Sequence, residues 1–154
     1  MSIEVGAKAP DFALPNQDRE TVRLSDEVKK GPVVLAFLPG AFSSVCTQEL
    51  CTFRETKLGG TGGRVFGIST DTFFALKAWA DQQKFDFPLL SDYNKDVIRQ
   101  YGVVNADMIG LKDIAKRAVF VIGRDGVVKY REVLDDARNE PDYDKLRQAV
   151  ASAN

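Results

Sequence analysis

The sequence predicts an α/β protein: a mixed β-sheet with helices on both of its faces. Three observations carry that expectation. A continuous apolar run bounded by prolines, Pro32 to Pro39, has the character of a strand covered on both sides. Strand and helix patterns then alternate through the middle of the chain in a βαβ rhythm. Further on, two apolar stretches flank the turn Arg124-Asp125-Gly126, and a helical stripe follows them.

The elements follow in order. In the N-terminal arm, Ala9-Pro10-Asp11-Phe12-Ala13-Leu14-Pro15 alternates partly, Asn16-Gln17-Asp18 turns, and Thr21-Val22-Arg23-Leu24 forms a short strand; Ser25 then caps a brief helical turn. The run from Pro32 to Pro39 is the central strand. A hydroxyl at Ser43 or Ser44 starts a helix through Val45-Cys46-Thr47-Gln48-Glu49-Leu50, which Gly59-Gly60 ends. Arg64 to Thr70 is the next strand, Asp71-Thr72 caps a helix through Leu76, Trp79 and Ala80 toward Lys84, and Phe87 to Ser91 is a short strand. Lys95 to Tyr101 is a short helix closed by Gly102, whereas Asp107 to Lys116 reads as a loop of mixed character. Ala118 to Gly123 and Val127 to Val133 form a hairpin, and Pro141 to Ala151 is a final helix with Tyr143, Leu146 and Val150 on one stripe. One βαβ unit, a hairpin and a last helix make the plan of the thioredoxin-like fold.

With 154 residues, 44% hydrophobic and 28% charged, the chain is expected to form one domain over residues 1–154. A net charge of -1 offers no broad basic field, so neither nucleic acid nor a membrane surface is an expected partner. The N-terminus, Met1-Ser2-Ile3-Glu4-Val5-Gly6-Ala7-Lys8, lacks the apolar core of a secretory signal, and no stretch reaches the ~20 apolar residues of a membrane helix. A soluble, cytoplasmic protein is expected. In a reducing compartment its two cysteines are reactive rather than stapling. The chain has no histidine, which removes Cys-His and Ser-His nucleophile pairs and imidazole metal sites. No cofactor or metal is expected, and any nucleophile must be activated by Arg, Lys, backbone dipoles or carboxylates.

Cys46 falls in the first turn of the helix that follows the central strand. Unpaired backbone N–H groups and the positive end of the helix dipole favour a thiolate there, although position alone leaves open a buried small hydrophobe. Pro39-Gly40-Ala41-Phe42-Ser43-Ser44-Val45-Cys46 resembles the active-site pattern Pro-x-x-x-Thr/Ser-x-x-Cys of the peroxiredoxin family, and Glu49 matches the acidic residue three places on. Val5-Gly6-Ala7-Lys8-Ala9-Pro10-Asp11-Phe12 resembles the family's opening. Leu90-Ser91-Asp92 and Tyr101-Gly102-Val103 resemble its middle, and Lys116-Arg117-Ala118-Val119-Phe120-Val121-Ile122 its arginine-bearing strand. The likeness is to the bacterioferritin comigratory, atypical two-cysteine group. Phe42 also gives some likeness to the single-cysteine alkyl hydroperoxide reductase E type.

The resemblance implies a thiol peroxidase for hydrogen peroxide and organic hydroperoxides. In it Cys46 becomes a sulfenic acid, Ser43 hydrogen-bonds the peroxide, Pro39 shields the pocket, Arg117 stabilises the thiolate and transition state, and Glu49 orients the arginine. Such chemistry needs a thiolate, a hydroxyl and fixed donors where charge develops, and no histidine. Independently, if the strand at 118–123 runs antiparallel to the one at 33–38, Arg117 lies where the first strand ends, beside Cys46; otherwise it is an ordinary surface arginine.

Cys51 lies five positions after Cys46. On an ideal helix that offset is ~140° of rotation and ~7.5 Å of rise, beyond the ~4.4 to 6.8 Å between α-carbons that a disulfide tolerates. Leu50, Phe53 and Lys57 share the Cys46 side, whereas Cys51 falls with Thr47, Arg54 and Leu58. A resolving role, implied by the resemblance, requires the first helical turns to unwind once Cys46 is oxidised. The intramolecular disulfide would then be reduced by a thioredoxin or glutaredoxin-like protein. Otherwise Cys51 is unreactive and an external thiol resolves Cys46. The chain ends at Asn154 without a further cysteine, so resolution across a dimer is not expected, and a monomer or homodimer both fit.

Two rivals differ in class. A thiol-disulfide oxidoreductase would normally carry Cys-x-x-Cys, not the Cys-x-x-x-x-Cys found here, and a redox-sensing interaction protein would consume peroxide stoichiometrically. Gly59-Gly60-Thr61-Gly62-Gly63 lacks the Lys-Ser/Thr of a phosphate loop and reads as a flexible connection. Trp79 with Leu76 reads as core, although the resemblance implies that aromatics near the site can line the pocket. Asp135-Asp136 and Glu140-Pro141-Asp142 read as a solvated loop and helix start.

Overall fold

The structure, a computed structural model, describes residues 3–153; Met1, Ser2 and Asn154, the ends of the expected domain, lie outside the described residues. The N-terminal arm forms an antiparallel pair, β1 (Ala13–Pro15) and β2 (Thr21–Arg23), and runs into a one-turn helix, α1 (Leu24–Glu27). Ser25 lies inside α1 rather than capping it. Its backbone N–H donates to Asp11 Oδ1 at 2.9 Å, so a carboxylate from the arm satisfies that turn.

The remaining elements are β3 (Val33–Phe37), α2 (Ser44–Thr56), β4 (Arg64–Ser69), α3 (Phe73–Gln83), β5 (Leu89–Ser91) and α4 (Asp96–Gln100). They continue with β6 (Val104–Met108), β7 (Leu111–Ala115), β8 (Arg117–Ile122), β9 (Val128–Leu134) and α5 (Tyr143–Ala153). A five-stranded sheet has the order β5-β4-β3-β8-β9. β3 pairs parallel with β4 and antiparallel with β8, so the sheet is mixed.

Every residue of β3 is buried, which explains its lack of alternation. Val33, Leu35 and Phe37 face a cluster with Phe12, Leu24, Ile98 and Tyr101, contributed by the arm, α1 and α4. Val34 and Ala36 face a second cluster with Leu50, Phe53, Leu76, Trp79, Leu146 and Val150, contributed by α2, α3 and α5. The period-2 alternation of the strand thus divides one apolar run between two cores, with helices over both faces as expected.

Two further expectations are corrected. α2 ends at Thr56, ahead of Gly59-Gly60, because Lys57 and Leu58 turn left-handed at φ 51 and 52. That turn carries Leu58 into the core at 4% exposure, and burying a leucine, worth about 1.5–3 kcal/mol, offsets much of the ~1–2 kcal/mol that each of the two left-handed residues costs. Asp107 to Lys116 is no irregular loop: β6 and β7 pair antiparallel, with Met108 opposite Leu111. Ile109 and Gly110 connect them with φ 49 and 91, the positive-φ geometry of a two-residue hairpin turn. An isoleucine where Asn or Asp is usual hid the turn from sequence reading.

Candidate active site

Phe37 pairs with Ala118, so the antiparallel register puts Arg117, the first residue of β8, at the end of β3 where the chain leaves for α2. There its guanidinium is enclosed, with only 2% of the side chain exposed. Nη2 donates to Cys46 Sγ at 3.3 Å, Nη1 to Glu49 Oε1 at 2.8 Å, and Nε to the Ala137 carbonyl at 3.1 Å. Cys46 and Glu49 sit one helical turn apart on the buried side of α2. A planar fork therefore grips both at once, which a point-charge ammonium could not do.

The charges of this cluster differ in firmness. Burial pushes the Glu49 carboxyl up to about 7, outweighing the attraction and hydrogen bond of Arg117, and Glu140 and Glu132 add to the rise. Burial opposes the Arg117 cation, but Cys46 and Glu49 more than compensate and hold its pKa above the usual value. Arg117 is the fixed charge and Glu49 is the member of the pair that titrates. Glu49 Oε2 has no hydrogen-bond partner among the described residues.

The loop between β3 and α2 is held from β4. Ala41 N–H donates to Asp71 Oδ2 at 2.7 Å, and Ser69 Oγ donates to the same oxygen at 2.7 Å. Phe42 takes φ 67. Ser43 occupies the N-cap of α2 and its carbonyl accepts from Thr47 N–H at 2.9 Å, but its side chain makes no capping bond. The Ser43 hydroxyl is exposed on a cleft of about 780 Å³ that Pro39, Val45, Arg117, Met108 and Ile109 also line. Another cleft, about 370 Å³ beside Phe53, Arg64 and Phe87, holds no nucleophile.

The first turn of α2 is also tied to α3: Trp79 Nε1–H donates to Thr47 Oγ1 at 3.2 Å. Trp79 is expected in the core, where a buried indole N–H needs a partner. Of the expected Asp71-Thr72 cap, Thr72 caps α3 by accepting from Ala75 N–H, whereas Asp71 holds the loop before α2; nothing in the sequence marks the Ala137 carbonyl. Cys51 stands apart from Arg117. It is half-buried, with Sγ 3.7 Å from Gln83 Oε1, and both cysteines are free in an unbroken α2.

A free thiol held at a helix start against a buried guanidinium is equipped to attack an electrophilic oxygen or sulfur. Residues 5–131 match the AhpC/TSA family. A 2-cysteine chloroplast peroxiredoxin of Chattonella marina var. antiqua is 34% identical over 164 residues, covering 97% of this chain and 82% of that protein. The peroxiredoxin bcp of Coxiella burnetii is 39% identical over 132 residues, covering 83% of this chain and 87% of that one. The crystal structure of peroxidoxin BcpB from Mycobacterium tuberculosis aligns with a TM-score of 0.87 at 33% identity and covers 99% of both chains. The chain therefore belongs to the AhpC/TSA family and is a peroxiredoxin, a thiol peroxidase built on the thioredoxin-like fold. No helix among the described residues is long and apolar enough to cross a membrane.

Proposed function

We propose that Cys46 is the peroxidatic thiol and that Cys51 resolves it. The Cys46 thiolate attacks one oxygen of the peroxide; the S–O bond forms as the O–O bond breaks, and the departing alkoxide or hydroxide takes a proton to leave as alcohol or water. Arg117 stabilises the thiolate and the charge that develops on the leaving oxygen. Ser43, whose hydroxyl no cap employs, hydrogen-bonds the peroxide. Pro39 shields the sulfur, and Glu49 holds Arg117 in place. The observation that carries this reading is the 3.3 Å contact of Arg117 Nη2 with Cys46 Sγ.

In the second half-reaction the Cys51 thiol attacks the Cys46 sulfenic acid, water leaves, and an intramolecular disulfide forms. The opening turns of α2 unwind for this step, because the intact helix keeps the two sulfurs apart. A thioredoxin or glutaredoxin-like dithiol then reduces the disulfide. Hydrogen peroxide and organic hydroperoxides are the substrates, and the cytoplasm is the compartment.

The test is intact mass after one equivalent of hydrogen peroxide, with a sulfenic-acid trap present, on the wild type and on Cys51→Ser. Loss of two hydrogens in the wild type with a trapped sulfenic acid in the variant is expected. Trapping in both makes Cys51 a bystander and an external thiol the resolving group; no oxidation at Cys46 sinks its peroxidatic role.

A further inference from the structure

The hairpin formed by β6 and β7 has a tip that neither folding nor packing explains. Ile109 is 92% exposed, the highest value among the exposed large hydrophobic residues described. Its backbone sits at φ 49, a region where a β-branched residue is a true outlier and where Gly or Asn is the ordinary choice. The tip is nonetheless fixed. Asp107 Oδ1 accepts from Gly110 N–H at 2.8 Å and its other oxygen pairs with Lys112, so the chain is held in this geometry rather than drifting through it. An aliphatic side chain is thus presented to water on a rigid, strained turn.

That turn borders the catalytic cleft. Met108 and Ile109 line the same space as Ser43 and Arg117, with Pro39 and Val45 as further apolar lining. The volume of about 780 Å³ far exceeds what hydrogen peroxide needs, since a water-sized molecule occupies about 30 Å³, and it falls in the range of sites for larger organic ligands. Hydrogen peroxide has no carbon to bury against an isoleucine. An organic hydroperoxide with its O–O group between Ser43 and Arg117 must place its substituent somewhere in this cleft.

We propose that Met108 and Ile109 form the contact for the organic substituent of the hydroperoxide, and that Ile109 sets the preference of the site for bulky apolar hydroperoxides over hydrogen peroxide. The proposal rests on Cys46 being the peroxidatic thiol. The strained isoleucine meets substrate, and transition-state contacts remote from the reacting oxygens raise kcat/KM only for substrates that possess the matching group.

The experiment is the ratio of kcat/KM for cumene hydroperoxide to that for hydrogen peroxide, with a dithiol donor in excess, in wild type, Ile109→Asn and Ile109→Leu. Asparagine accepts a left-handed backbone, so the hairpin keeps its shape while the aliphatic group is lost. The ratio is expected to fall about tenfold in Ile109→Asn, the discrimination of one aliphatic contact, and to return to within about twofold of wild type in Ile109→Leu. An Ile109→Asn ratio equal to that of the wild type overturns the assignment; if sedimentation then shows a dimer lost, Ile109 belongs to an interface between copies of the chain. A wild type that oxidises at Cys46 with neither peroxide overturns the peroxidatic reading itself, a distinct failure.

Discussion

Replacing Glu49 with glutamine tests the electrostatics of the site through stability. Glutamine keeps an acceptor for Arg117 Nη1 and removes the titration. Burial raises the Glu49 carboxyl from 4.5 to about 7 in the folded protein, whereas in the unfolded chain it ionises near 4.5. Between these values the folded state binds the extra proton. The contribution is therefore fully present below pH 4.5 and is lost as pH rises through about 7. At about 1.4 kcal/mol for each tenfold change in proton affinity, the loss amounts to about 3 kcal/mol. Urea unfolding followed by the fluorescence of Trp79, the single tryptophan, reads it directly. The wild type should lose about 3 kcal/mol relative to Glu49→Gln between pH 4.5 and 8, and subtraction removes every carboxyl the two proteins share. With no histidine in the chain, no imidazole titrates in that window. A wild-type advantage that grows with pH would refute the reasoning, since it would mean that Arg117 outweighs burial and holds Glu49 ionised.

Two further outcomes are expected. Arg117→Lys keeps the positive charge but loses the fork that reaches Cys46 and Glu49 together, so stopped-flow rates of Cys46 oxidation by hydrogen peroxide should fall about 10²-fold; a change below about threefold would show that charge alone suffices. Thr47→Val removes the acceptor for Trp79 Nε1–H and leaves a buried donor unpaired, which should lower urea stability by about 1–3 kcal/mol and shift the Trp79 emission; a variant matching the wild type in both would mean that the indole finds another partner.

The parts of this protein that were legible in its sequence are those where local pattern and tertiary need agree. The proline-bounded run at 32–39 reads as a strand covered on both faces, and the register that brings Arg117 to Cys46 follows if the strand at 118–123 runs antiparallel to it. Three features were not legible because a distant contact decides them. α2 stops at Thr56 for the sake of Leu58, whose burial no helical period announces. The β6–β7 turn was hidden by Ile109, a residue that opposes the turn it occupies. Trp79 was placed correctly in the core, yet its indole N–H reaches Thr47 across two helices that sequence spacing cannot orient.

The proposed chemistry puts two demands on the first turns of α2 that pull against each other, and Glu49 lies where they meet. Binding the thiolate calls for a closed cluster, in which Arg117 is gripped by Glu49 and by the Ala137 carbonyl. On the proposed route to a disulfide, residues between Cys46 and Cys51 must leave the helix, which frees Thr47 from Trp79 and carries the Glu49 carboxyl into water. A carboxyl that is half-protonated near pH 7 when buried ionises fully on exposure, so opening the turn releases a proton and is favoured as pH rises. Unwinding thus draws on the same term, at most about 3 kcal/mol, that weakens the folded state above pH 4.5.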